Sequence, residues 1–222
     1  MAKINVLDKQ VAELIAAGEV VERPASIVKE LVENAVDAGA TKVTVEIQGG
    51  GIRYIRVTDN GTGIAREDVE NAFLRHATSK VKNEEDLTRI MTMGFRGEAL
   101  ASIAAMCRVE LLTRTAEEIA GTRYTISGGE PGELSDAGCP TGTTITVRDV
   151  FFNTPARMKF LKKDVSEGNS VAAAVEKAAL GNRVAVVPAR RRRAPADAGT
   201  GGARRCVRAR PGVFRKCGPR PL

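Results

Sequence analysis

The stretch Pro24-Ala25-Ser26-Ile27-Val28-Lys29-Glu30-Leu31-Val32-Glu33-Asn34-Ala35-Val36-Asp37-Ala38 decides the fold. Its apolar residues Ile27, Val28, Leu31, Val32, Ala35 and Val36 recur at the spacing of a single helical stripe. Pro24 suits the first turn, where its missing N–H would have had no partner in any case. At about 100° per residue, Glu30, Glu33, Asn34 and Asp37 share the arc opposite that stripe. Taken alone, such an arc reads as the solvated acidic face of an amphipathic helix. The chemical reading is that Asn34 offers an oxygen to Mg²⁺ one turn from Glu30, a carboxylate able to deprotonate an attacking water.

Beyond this helix, Val43, Val45 and Ile47 alternate, Gly49-Gly50-Gly51 punctuates, and Ile55 and Val57 resume the alternation, which predicts a β-hairpin ending at Asp59. Arg66 to Leu74 reads as helical, and Arg75 to Gly97, mixing Thr, Ser, Lys, Asn and Gly, as a long loop. A helix is predicted over Glu98 to Met106, with strands at Arg108 to Arg114, Arg123 to Ser127 and Thr143 to Arg148. Thr154-Pro155 has the form of an N-cap followed by proline, opening a helix through Leu161, and Val165 to Leu180 predicts another. Helices, a hairpin, helices and then neighbouring strands argue for a two-layer α/β sandwich with a mostly antiparallel sheet rather than a doubly wound one.

Three loops carry candidate chemistry. Asp59-Asn60-Gly61-Thr62-Gly63 follows a predicted strand, presenting a carboxylate in a glycine loop that a flat ligand can approach, as an ordinary turn would also do. An Asp there can accept a hydrogen bond from an exocyclic amine such as that of adenine. Gly94-Phe95-Arg96-Gly97-Glu98-Ala99-Leu100 runs into a helix start, where free N–H groups and the helix dipole favour phosphate, although it lacks a P-loop's GK[ST] ending. Thr78-Ser79-Lys80 adds hydroxyls and a cation.

With 43% apolar residues, the 222-residue chain can build a sizeable core. No apolar run reaches membrane-spanning length and the N-terminus has no signal-peptide core, so a cytoplasmic location without a membrane is expected. Cys107, Cys139, Cys206 and Cys217 lack paired spacing and His76 is the single histidine, which predicts free thiols and no zinc site. The net charge of +7 is unevenly spread. Residues 183–222 hold eleven Arg, one Lys and one acid, Asp197, a net of +11, whereas residues 1–182 carry −4. Arg, Ala, Gly and Pro make up 28 of those last forty residues, the composition expected of a GC-rich gene read out of frame or of a disordered basic tail that binds nucleic acid through phosphate contacts.

Taken in order, the helix Glu33-Asn34-Ala35-Val36-Asp37-Ala38-Gly39, the loop Asp59 to Gly63, the loop Gly94 to Leu100 and Thr141-Gly142-Thr143-Thr144 resemble the four nucleotide-binding motifs of the GHKL ATPases. The longer strings Ala16 to Pro24, Arg75 to Lys80 and Phe152 to Arg157 resemble the MutL branch, from Ile4 to about Asn182. The resemblance implies a GHKL ATP-binding domain over 1–182, incomplete at its C-terminal end, and an out-of-family tail over 183–222. It implies slow Mg²⁺-dependent ATP hydrolysis coupling mismatch recognition to strand incision. DNA, a MutS-type mismatch-recognition protein and a downstream nuclease or helicase would be partners, and ATP would drive homodimerisation.

Carried over by motif, Glu30 would be the general base and Asn34 the Mg²⁺ ligand, with Asp37 beside it. Asp59 would read adenine in a pocket shaped by Gly61 and Gly63 and supported by Thr143. Thr78, Ser79, Lys80, Gly94, Phe95, Arg96 and Gly97 would form the lid over the phosphates, with His76 structural. MutL proteins continue into a second α/β domain that supplies a further lysine, then a linker and a dimerisation domain, which this sequence does not contain. An inert or binding-only fragment with a basic, nucleic-acid-binding tail is therefore the competing expectation.

Overall fold

The computed structural model describes residues 5–80, 93–94, 97–181, 185–188, 207–210 and 213–216. Helices α1 (Lys9–Val20) and α2 (Pro24–Asp37) lead into the hairpin of β1 (Lys42–Gln48) and β2 (Tyr54–Asp59). Helix α3 (Ala99–Met106) precedes β3 (Arg108–Arg114), β4 (Gly121–Ser127), β5 (Glu130–Ala137) and β6 (Gly142–Arg148). Helices α4 (Pro155–Met158) and α5 (Asp164–Gly181) and strands β7 (Ala185–Pro188), β8 (Val207–Arg210) and β9 (Val213–Lys216) follow.

One sheet runs β5-β4-β3-β6-β2-β1-β7, antiparallel at every pairing except that of β1 with β7. Strands β8 and β9 form a separate hairpin. Register brings Val45, Val57, Ile145, Leu111 and Tyr124 into one row across five strands. Because strand side chains alternate, this row faces the helices while Arg56, Thr146, Glu110 and Thr125 form the parallel row on the other face. Helix α2 lays Ile27, Val28, Leu31, Val32 and Ala35 into the core, where they meet Ile55, Ile103, Met106 and Phe151. Each fully buried aliphatic of this kind contributes about 1.5–3 kcal/mol. Burying the apolar stripe leaves the Glu30 to Asp37 arc at the rim of the helical layer, beside the ends of β2 and β6.

The α/β sandwich matches the sequence expectation, and so do α2, the hairpin, α3, β3, β6 and α5 to within two residues. Several stretches differ, and helix α1 (Lys9–Val20) has no counterpart in the sequence expectation. Arg66 to Leu74 forms two 3₁₀ turns, Arg66–Asp68 and Asn71–Phe73, rather than one helix. Val69 and Phe73 are its only buried apolar pair, too narrow a stripe to offset the cost of helix nucleation. Helix α4 stops at Met158 instead of continuing to Leu161. Strand β5 was not foreseen: Pro131, Gly132 and a run of half-buried or exposed residues give it no alternation, as suits a sheet edge. At the other edge, Ala185–Pro188 pairs in parallel with Lys42 to Val45.

Candidate active site

Two clusters of polar groups sit at that rim. In the first, Asp59 ends β2 opposite Thr143 of β6, a placement set by the Thr58 and Thr144 register pair one residue before. Asp59 Oδ1 accepts the Gly61 N–H at 2.8 Å and the Thr143 N–H at 3.2 Å. Oδ2 has no protein partner among the described residues, so it remains open to a donor. Burial, the largest influence, pushes the Asp59 carboxyl above its ordinary value of 3.8 despite those two amides. The turn after it is held close to α2 by the Thr62 N–H bonded to the Ala38 carbonyl at 3.0 Å. Gly63 takes φ +77°, and a Cβ there would overlap the Arg114 carbonyl, so glycine is what lets this loop lie against the sheet.

Thr113 organises the cluster from behind. It is fully buried, its Oγ1 accepts the Ile64 N–H at 2.9 Å, and it lies 3.2 Å from the Gly142 carbonyl and 3.1 Å from Thr143 Oγ1. A polar residue in the inward-facing series Val109, Leu111, Thr113 is the sequence signal that could have found it. Arg114 fixes the approach to β6 by donating to the Cys139 carbonyl at 2.9 Å and to Thr141 Oγ1 at 3.0 Å.

In the second cluster, Lys80 Nζ lies 2.6 Å from Asp37 Oδ2 and 3.3 Å from Asn34 Oδ1. Asp37 also accepts the N–H groups of Met93, at 3.0 Å, and Gly94, at 3.1 Å. Its side chain is 6% exposed. Burial, the largest influence, opposes its ionisation, but the Lys80 bond and the two amides together hold its carboxyl below 3.8. A Cβ on Gly94 would stand 3.4 Å from Lys80 Nζ, 3.8 Å from Asn34 Oδ1 and 3.9 Å from Asp37 Oδ2, so this backbone covers all three groups.

Glu30 lies one turn before Asn34 on α2, and Lys29 Nζ bridges Glu30 Oε1 and Glu33 Oε2 at 2.9 Å each. Partial burial, the largest influence on Lys29, favours its neutral form, but the bonds to Glu33 and Glu30 outweigh it and raise its pKa above 10.5. The i,i+4 spacing of Lys29 and Glu33 was a legible sign of this bridge.

Thr78 joins through its Oγ1, which accepts the Lys80 N–H at 3.2 Å, whereas Ser79 is exposed and takes part in none of these contacts. Gly97 adopts φ +62° and its carbonyl accepts the His76 N–H at 3.0 Å, just ahead of α3. Phe95 and Arg96 lie outside the described residues. The His76 ring is exposed and 3.6 Å from Glu98. Cys107 and Cys139 are free, and burial pushes the Cys107 thiol up to about 12. Among the described residues no group of three or more His, Cys, Asp or Glu side chains could hold a metal ion, and no helix is long and apolar enough to cross a membrane.

The donors fit a nucleotide with a hard cation. Asn34 supplies an amide oxygen, and among the described residues no all-protein cage surrounds it, the arrangement in which Mg²⁺ keeps waters and shares substrate phosphates. The free Asp59 oxygen and the glycine turn beside it offer an acceptor and room for a flat base. The two clusters flank the last turn of α2, on which Asn34 and Asp37 stand.

Residues 22–128 match the family model of histidine kinase-, DNA gyrase B- and HSP90-like ATPases. The DNA mismatch repair protein MutL of Agathobacter rectalis is 55% identical over 180 residues, covering 81% of this chain and 28% of that protein. MutL of Caldanaerobacter subterraneus subsp. tengcongensis is 56% identical over 182 residues, 82% of this chain and 31% of its own length. The chain thus spans under a third of the curated relatives it matches. Among solved structures, the Aquifex aeolicus MutL ATPase domain complexed with ADP is similar with a TM-score of 0.63 and 39% identity, over 76% of this chain and 60% of that one. Through the roughly 180 residues it shares with these proteins, the chain belongs to the MutL family of GHKL ATPases.

Proposed function

We propose that this chain binds ATP with Mg²⁺ and hydrolyses it slowly, as the nucleotide-responsive part of DNA mismatch repair. The observation that carries the reading is Asp59, a half-buried carboxylate with one oxygen held by two amides and the other without a partner among the described residues. Its free oxygen accepts the adenine amine, while Gly61, Gly63 and Thr143 shape and support the base pocket. Lys80, with Thr78, Ser79 and the backbone from Gly94 to Gly97, takes the phosphates at the start of α3, where unpaired N–H groups and the helix dipole favour negative charge. Asn34 ligates Mg²⁺ and Asp37 steadies Lys80 and Gly94. Mg²⁺, when bound, neutralises charge developing on the transferred phosphoryl group. Glu30 orients and deprotonates the attacking water, for which it must leave Lys29.

On this reading residues 1–182 form the ATP-binding unit, and the basic segment 183–222 adds one edge strand, Ala185–Pro188, to its sheet. In the intact family the same unit would dimerise on ATP and act with DNA, a MutS-type recognition protein and a nuclease or helicase. Binding without turnover is the second reading, favoured by the engagement of Glu30 with Lys29.

Calorimetric titration with non-hydrolysable ATP and GTP analogues tests the assignment. Guanine presents a carbonyl where adenine presents its amine, so the ATP analogue should bind at least about tenfold more tightly, the worth of a hydrogen bond to a charged group. Equal affinities would remove Asp59 as the base reader.

A further inference from the structure

Two stretches that the pocket does not use, Ala16 to Pro24 and Phe152 to Arg157, meet in the fold. Arg157 Nη1 donates to the Gly18 carbonyl at 2.8 Å. The guanidinium occupies the space that a Cβ on residue 18 would need, so only glycine admits it. Gly18 lies in the last turn of α1, where carbonyls lack helical partners and the dipole favours a cation.

The chain just before Arg157 grips a second helix end. The Phe151 N–H donates to the Met106 carbonyl at 3.0 Å, and Asn153 Nδ2 donates to the Ala105 carbonyl at 2.8 Å. Both carbonyls belong to the last turn of α3, the helix that begins two residues after Gly97. Helix α1 also packs directly on α3. Phe151 is fully buried at φ +67° and Asp149 stands at φ +51°. Such backbones are strained and persist where surrounding contacts over-determine them. Thr154 Oγ1 is buried without a hydrogen-bond partner among the described residues, a further sign that this loop is held for something other than its own stability.

We propose that Arg157 is a positioning residue that locks α1 to the far end of α3, so that a nucleotide at the start of α3 changes the order of α1. The inference rests on the reading that phosphates sit at the start of α3. Rigid helices carry displacement end to end.

Hydrogen exchange of the α1 amides in the full chain, with and without a non-hydrolysable ATP analogue and Mg²⁺, tests it. In the unmodified protein the analogue should slow α1 exchange by about fivefold or more, the low end of ordinary coupling. Arg157→Ala should bind the analogue within about threefold of normal but lose that slowing. Arg157→Lys, which keeps a cation and a donor, should recover part of it. Gly18→Ala displaces the guanidinium from the other side and should behave as Arg157→Ala does. Full slowing in Arg157→Ala overturns the inference alone, whereas no analogue binding by the unmodified chain overturns the nucleotide reading as well. If both alanine variants fail to fold, Arg157→Lys decides: slowing equal to that of the unmodified chain overturns the proposal.

Discussion

Lys80 and Asp37 form a nearly buried ion pair, 2.6 Å between Nζ and Oδ2, and the same ammonium rests 3.3 Å from Asn34 Oδ1. A lysine therefore holds the oxygen that, on the proposed reading, would ligate Mg²⁺, and Lys80 would have to turn away from it for that ligation. Removing one member of a buried pair leaves an uncompensated charge. Lys80→Met should lower stability at neutral pH by about 1–3 kcal/mol, less than for a fully buried pair because Lys80 is 21% exposed. Because the folded carboxyl titrates below its ordinary value, its contribution is complete above about pH 4 and is lost as pH falls further. Denaturant unfolding across pH 3 to 6 should therefore show a steeper acid loss in the unmodified chain than in Lys80→Met.

Asp59 has the opposite sign. Its pKa is raised by burial, so its ionised form costs stability at every pH above the unfolded value. Asp59→Asn removes the charge and keeps an oxygen for the Gly61 and Thr143 amides, so its melting temperature should equal or exceed that of the unmodified chain. The new amide N–H₂ would face another donor on adenine, and ATP affinity should fall about 10- to 100-fold. Thermal melting and nucleotide titration on one sample separate the two effects; parallel losses would count against this division of roles.

Glu30→Ala should leave ATP binding intact and slow single-turnover phosphate release by about 10²- to 10⁴-fold. Lys29→Met frees the Glu30 carboxylate and should not reduce the rate. A Glu30→Ala protein as fast as the unmodified one would remove Glu30 from the mechanism.

The parallel pairing of Ala185–Pro188 with β1 separates two truncations. A chain cut after Pro188 keeps that edge paired and should melt with the full protein. One cut after Asn182 exposes β1 and should melt about 2–8 °C lower, with more light scattering, given the ordinary worth of a few backbone hydrogen bonds. Identical melting of the two would show that β7 adds nothing to the sheet.

What the sequence made legible was periodicity and motif order. The α2 stripe fixed which side of the helix faces the core, and therefore which side could hold Glu30, Asn34 and Asp37 at the rim. Hydrogen bonds between distant segments were not legible: nothing local tells that Asp37 takes the Met93 and Gly94 amides, or that Thr113 braces Thr143 across the sheet. Strand β5 escaped because an edge strand need not alternate. Composition alone also gave no sign that Ala185–Pro188, at the start of the arginine-rich stretch, would pair with β1, because pairing uses backbone groups that any residue but proline can offer in full.

The most direct test of the nucleotide site is equilibrium anisotropy of a fluorescent ATP analogue, with and without Mg²⁺, on the full chain and on Asn34→Ala. The account predicts binding that Mg²⁺ strengthens in the unmodified chain and a Mg²⁺ effect that disappears in the variant. Binding that Mg²⁺ does not change, or that Asn34→Ala leaves equally Mg²⁺-dependent, would contradict it.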